Sequence, residues 1–410
     1  MLPGFLAFNQ HKSAFHLSTI IFPADGGKLQ VLPNYRSGYA GGSFGRYNFV
    51  TPKLTIMKHT TSAKLLLFLF FASLSGFYAC TKTSSEPVTQ PPPPPPPGES
   101  VDVYIAGTGL QAGSSGNAIA ELWKNGIQTK ISDGSMTEYV SGIFVSNGDV
   151  YLSGEELAGS DFVPKYWKNG VPIIIKDTMS QTSGIAVSGN DVYVIGHTYS
   201  QNIYQSTAKY WKNGVAVSLT AGDTYAYTSA ICISGGDVYI LGNEDSVIRL
   251  WVNGVSRNIS NAPIIGNASS IAVSGSDVYI AGTAPNPTHT ANLATYWKNG
   301  VPVTLAPEAI NASAMSIFVS GTDVYTAGFE SVNTPGQVAA RYWKNNNQVN
   351  LTNAETDWAY VYAIAVHGND VYAAGDEGGF PKYWLNGNAV NLPSGGLANG
   401  HVSCMAIVKK

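Results

Sequence analysis

Charge is scarce in this sequence. Lys and Arg together number 23 and Asp and Glu 26 among 410 residues, for a formal charge of −3. So few and so balanced charges give no basic face, which removes the electrostatic case for a nucleic-acid partner and for a polybasic membrane patch. Cysteine is scarcer still, with three residues, of which Cys232 and Cys404 sit inside apolar strand patterns and read as small buried hydrophobes. Of the seven His, three precede Lys64, and His197, His289, His367 and His401 are too scattered for a ligand set. No metal is expected. The segment "GTGLQAG" from Gly107 has the wrong spacing for a nucleotide loop and no helix pattern after it, so no cofactor is expected either.

Long apolar runs are also few. The run that matters lies in "MKHTTSAKLLLFLFFASLSGFYAC", Met57 to Cys80, where Lys58 and Lys64 precede the apolar stretch Leu65 to Phe71. A stretch this short, ending in small residues, predicts a secretory signal peptide rather than a membrane span. Met57 is then the expected initiator, and residues 1–56 an upstream extension without a fold. The end of the segment resembles the lipobox of bacterial lipoproteins, which has Leu three residues before the Cys and then two small residues. Here those positions hold Phe77, Tyr78 and Ala79, of which Ala79 fits. The resemblance implies lipidation at Cys80. Residues 81–100, "TKTSSEPVTQPPPPPPPGES", read as a polar, polyproline tether extending about 3.1 Å per residue.

What the chain has in plenty is Gly (44) and Tyr (23), and they recur in register. "DVY" begins at Asp102, Asp149, Asp191, Asp237, Asp277, Asp323 and Asp370, a period of 40 to 47 residues. Each copy runs on into an aliphatic-small-Gly ending and then to a Trp: Trp123, Trp167, Trp211, Trp251, Trp297, Trp343 and Trp384. Seven of the eight Trp are therefore repeat positions and read as core. A strand of the type "GIAVSGN" precedes every "DVY" but the first, and "YWKNGVPV" supplies two more strands. A unit of this length with four strands has the size of a propeller blade.

Two-residue Gly/Asn turns join "IAVS" to "DVY" and "YWK" to "VPV", so those strands must be neighbours within one blade. The step between blades falls in the loop before "IAVS", because small residues such as Gly184 and Ala186 suit the crowded axis. The terminal "HVSCMAIVKK" aligns Met405-Ala406-Ile407 with Ile185-Ala186-Val187, so the last strand is expected to become the innermost strand of blade one. The fold class read from the sequence is all-β: residues 101–410 as a seven-bladed β-propeller of four-stranded antiparallel blades, its ring closed by the C-terminal strand. Cys232 and Cys404 then fall in the innermost strands of blades four and one, too far apart for a disulfide.

The pattern is similar to the kelch-like superfamily of propellers, and closer to bacterial lipoproteins with "DVYVAG…YWKNG" repeats. It departs from kelch in carrying one Gly after "VY" and in placing Tyr beside Trp. Kelch functions are accordingly not carried over.

Both tight turns of a blade fall on one face, and the variable loops fall on the other, where recognition is expected. Four residues before the first aliphatic of each inner strand stand Tyr139, Gln181, Tyr227, Asn267, Ser313, Tyr360 and His401. They are expected to ring the mouth of the central channel as an uncharged polar and aromatic rim suited to a neutral glycan or a peptide. Trp358, outside the repeat, is a candidate stacking residue. No residue is assigned a catalytic role. The alternative, a glycan hydrolase or lyase with carboxylates at the channel mouth, must draw on Glu138, Asp177, Asp223, Glu308 and Asp357, which belong to different blades. The expectation is a monomeric binding module for a glycan or an envelope protein. It would be held at a bacterial outer membrane or cell surface by its lipid anchor alone, or secreted.

Overall fold

The computed structural model describes residues 101–111, 116–200, 205–260, 262–309, 311–331, 337–353 and 358–410, together with a ladder of Pro23–Ala24 on Lys28–Leu29. The chain divides into two units, Met1–Thr81 and Lys82–Lys410. The expected extension, signal peptide, Cys80 and tether lie outside the described residues, that ladder aside.

Seven four-stranded antiparallel sheets form the second unit. Blades two to seven each run outward from the axis in chain order, beginning at Thr137–Ser146, Ser180–Ser188, Ala226–Ser234, Asn267–Ser274, Ala312–Ser320 and Ala359–His367. Blade one begins with the last strand of the chain, Leu397–Lys409, paired with Val101–Gln111, Ala118–Lys124 and Ile127–Lys130. Neighbouring inner strands touch all the way round, including Leu397–Lys409 against Thr137–Ser146. The ring is closed by the C-terminal strand, as expected.

The core lies between the blades. Seven apolar clusters each join two adjacent blades. Ile105, Trp123 and Val402 of blade one meet Ala363, Ala374 and Leu392 of blade seven across the closure. The seven repeat Trp are at most 3% exposed, which makes them the largest core side chains. Cys232 and Cys404 are free thiols in blades four and one.

Why "DVY" and "WKNG" recur together is clear from the paired second and third strands. The Asn that opens each outer turn has φ of 47° to 52°, a conformation Asn tolerates better than most residues. Its Nδ2 donates to the Asp of "DVY" at 2.7 to 2.8 Å in all seven blades. Its Oδ1 accepts from the following Val N–H at 2.8 to 2.9 Å. In five blades the adjacent Lys completes the clamp, as Lys298 does 2.8 Å from Asp277 and over the ring of Tyr279. Each Asp thus ties one tight turn to the other, a structural task. Hydrogen bonds from Lys and Asn hold Asp149, Asp191, Asp277 and Asp323 below the ordinary carboxylate range.

The opposite face is less uniform than the repeat suggests. In blades two, four and seven the second and third strands are joined by two-residue turns, Gly159-Ser160, Asp245-Ser246 and Gly378-Gly379. Longer connections remain at blades one, three, five and six. The connections on that face therefore differ in length from blade to blade.

Candidate functional site

The rim is built by one repeated irregularity. In every blade the inner strand bulges shortly after the expected rim residue, at Ser141, Ser183, Ser229, Ser269, Met315, Tyr362 and Ser403. A bulge re-aims the strand and strengthens its twist. It also presses the carbonyl of the rim residue onto the Gly that ends each "DVYxxG". A Cβ there would lie 1.9 to 2.1 Å from the carbonyl oxygen of His401, Tyr139, Gln181, Tyr227, Asn267, Ser313 or Tyr360 in turn. The seven rim residues are therefore structurally equivalent. Each pairs with the residue just after that Gly: Thr108, Glu155, His197, Asn243, Thr283, Phe329 or Asp376.

The aromatic side chains around this mouth gather in two arcs. In blades three and four, His197 meets Tyr199 edge-on at 4.6 Å and Tyr227 at 6.4 Å, and Tyr225 lies 5.8 Å from Tyr227. Tyr199 donates to Gln181 Oε1 at 2.5 Å and Tyr227 to Asn267 Oδ1 at 3.3 Å, so Gln181 and Asn267 orient these phenols. Burial pushes both phenols up to about 12, which keeps them neutral donors. The second arc runs from blade six to blade one. Phe329 is edge-on to Tyr360 at 5.1 Å, Tyr360 and Tyr362 stack with centroids 6.0 Å apart, and Tyr362 meets His401 at 4.5 Å. Asp376 Oδ1 lies 3.2 Å from His401 Nδ1.

The remaining expected residues divide. Tyr139 is half-buried, and burial followed by the charge of Glu155 raises its phenol. Ser313 is buried and donates to Met315 Sδ at 3.3 Å, so it is turned inward rather than presented at the rim. Trp358 is 54% exposed immediately before the inner strand of blade seven. The loop carboxylates do not assemble. Glu138 pairs with Lys165, and Asp177 accepts from Lys209 and from the Trp211 indole at 3.1 Å. Asp357 lies outside the described residues. Among the described residues no three of His, Cys, Asp or Glu are grouped as a metal site requires.

Among the described residues, two hollows lie away from these arcs. One, of about 200 Å³, is lined by Leu122, Ile131, Leu152 and Asn169 between blades one and two. The other, of about 440 Å³, is an open polar groove between Pro285, His289 and Asn311.

No protein-family profile matches the chain, and no curated protein matches it. Solved structures resemble it in fold. A Pyrococcus horikoshii acylaminoacyl peptidase superposes with a TM-score of 0.45 at 10% identity, over 71% of this chain and 50% of its own. This chain thus spans about half the length of that peptidase. The β-propeller domain of the Trilobed protease from Pyrococcus furiosus, described as having an open velcro topology, gives 0.45 at 8% over 72% of this chain and 92% of its own. Apo AztD from Citrobacter koseri gives 0.35 at 9% over 75% and 99%. At such identity nothing of those proteins' activities transfers to this chain.

Several residues of the arcs escape the sequence reading: His197, Tyr199, Phe329 and Asp376 lie on second strands, and Tyr362 is the bulged residue of an inner strand. The signal that finds three of them is register. His197, Phe329 and Asp376 each directly follow the repeat Gly and so must pair with a rim residue.

One buried charge departs from its siblings. Two residues before each repeat Trp, five blades carry Lys165, Lys209, Arg249, Arg341 and Lys382, each paired with a carboxylate. Blade one has Glu121 there, fully buried, with Gln128 donating to Oε1 and no hydrogen-bond partner at Oε2. Burial pushes Glu121 up to about 7 from 4.5. The unfolded chain releases this proton near 4.5 and the folded chain holds it to about 7, so the group costs nothing below 4.5. Its cost grows as pH rises to 7, reaching up to about 3 kcal/mol. Glu121→Gln is expected to melt with the parent at pH 4 and about 5 °C above it at pH 8. A variant that melts lower at pH 8 contradicts this account.

Proposed function

We propose that this propeller is a non-catalytic recognition module that binds its ligand at the channel mouth on the loop-bearing face, a glycan being the first candidate. The observation that carries the reading is the pair of aromatic arcs, held by a bulge repeated in all seven blades. Rigid aromatic faces bordered by neutral amide and phenol groups suit the apolar faces and hydroxyls of a sugar chain. The engagement of Glu138 and Asp177 in ion pairs favours binding over hydrolysis. The same proposal includes a place among the kelch-like surface lipoproteins. The chain would be lipidated at Cys80, tethered by residues 81–100 to a bacterial outer membrane or cell surface, and monomeric.

A glycan-array screen of residues 101–410 tests the reading, with Tyr227→Ala and Trp358→Ala alongside. Binding is expected, with at least a roughly tenfold loss in either variant, about 1.4 kcal/mol. Hits that neither substitution weakens place recognition elsewhere. A folded protein with no hits moves the assignment to an envelope protein partner.

A further inference from the structure

The two arcs differ in charge. Three positions per blade adjoin the bulge: the expected rim residue, its second-strand partner and the bulged residue. Across all seven blades these positions hold two carboxylates, Glu155 and Asp376, and no Lys or Arg. Glu155 is 7% exposed, and its Oε2 accepts from Thr182 N at 3.2 Å and Thr182 Oγ1 at 2.8 Å. It is committed to joining blades two and three. Asp376 is placed differently. Its side chain is 13% exposed, it pairs in register with Tyr360, and its buried Oδ1 lies 3.2 Å from Nδ1 of the half-exposed His401, whose ring meets Tyr362. Burial, and then the charge of Asp376, raises the phenols of Tyr360 and Tyr362.

Aromatic faces around a carboxylate form the environment that attracts an organic ammonium, through the ring quadrupoles and the direct charge. Beside it stands an exposed aromatic. Trp358 precedes Tyr360 by two residues at the entrance to the same strand, and alternation along a strand sends such a pair to one side. A stacking ring next to an ammonium-binding carboxylate fits one kind of sugar. Resting on the glycan reading above, we infer that the arc of blades six, seven and one selects glycans with free amino groups, de-N-acetylated hexosamines, whose ammonium is taken by Asp376 and whose ring stacks on Trp358.

The test is calorimetric titration of residues 101–410 with a β-1,4-linked glucosamine tetramer and with its fully N-acetylated counterpart. The free-amine tetramer is expected to bind at least about tenfold more tightly. In Asp376→Asn the two affinities should converge. Should that variant fail to fold, salt decides on the parent protein, because screening should erode the amine preference and leave the N-acetylated tetramer unaffected. Equal or better binding of the N-acetylated tetramer overturns the amine inference and leaves the glycan reading standing. A preference that survives in Asp376→Asn, or in high salt, overturns the role of Asp376. No binding of either tetramer by the folded protein overturns the inference, and together with an empty array it overturns the glycan reading as well.

Discussion

Removing residues 405–410 is expected to open the ring. These residues pair with the first five positions of the strand Val101–Gln111, from Met405 on Ile105 to Lys409 on Val101, and Lys410 reaches Asp102 at 3.2 Å. Their loss would leave Val101–Ile105 without its inner partner strand and uncover Ile105, now 1% exposed, at the interface of blades seven and one. Every other blade is built from consecutive strands, so closure depends on this one non-local pairing. The expected penalty is roughly half of the ordinary 5–15 kcal/mol that stabilises a folded domain. The truncated protein should aggregate, since an unpaired strand edge templates association, and proteases should cut it readily. Thermal melting, size-exclusion chromatography and limited proteolysis of the two forms check this. A truncated protein that melts with the full-length chain as a monomer would show that the ring holds without the end of its last strand.

The second large effect is expected from a single methyl group. In Gly282→Ala the new Cβ would fall 1.9 Å from the Asn267 carbonyl oxygen and 3.2 Å from Ala268 Cα, both backbone atoms with no rotamer to yield. Either the bulge at Ser269 or the ladder between the first two strands of blade five must give way. A cost of roughly 4–5 kcal/mol follows, at the high end for one substitution. The control is Gly184→Ala, on the inner strand of blade three, whose Cβ would meet side-chain atoms no nearer than 3.4 Å. Chemical denaturation of both should show a large loss for the first and less than about 1 kcal/mol for the second. Similar losses in the two would remove the carbonyl contact as the reason for the repeated Gly.

The mouth shows how differently residues of one sequence can be read. The equivalence of the seven expected rim positions was legible because the repeat fixes their place relative to the first aliphatic of each inner strand. Ser313 satisfies that rule yet faces Met315, because its bulge residue is a thioether rather than the Ser found in most blades. Tyr362 could not be assigned to the arc from alternation, since the bulge that sets it against Tyr360 and His401 is itself a break in alternation. The loop carboxylates looked available until their partners were placed: Lys165 comes from the third strand of blade two, and Lys209 from the blade after the loop that holds Asp177.

By itself the sequence determined the blade, the number of blades and the strand that closes them. Those features rest on short-range rules: two-residue alternation along strands, positive φ at Asn and Gly turns, and a Trp at one place in every unit. Tertiary structure alone decided why the repeat Gly is obligatory, why each Asp is kept, and which aromatics form the two arcs with Asp376 in one of them. Those depend on contacts between strands and between blades. Their distances are set by bulges and by ring closure, quantities that no local spacing along the chain encodes.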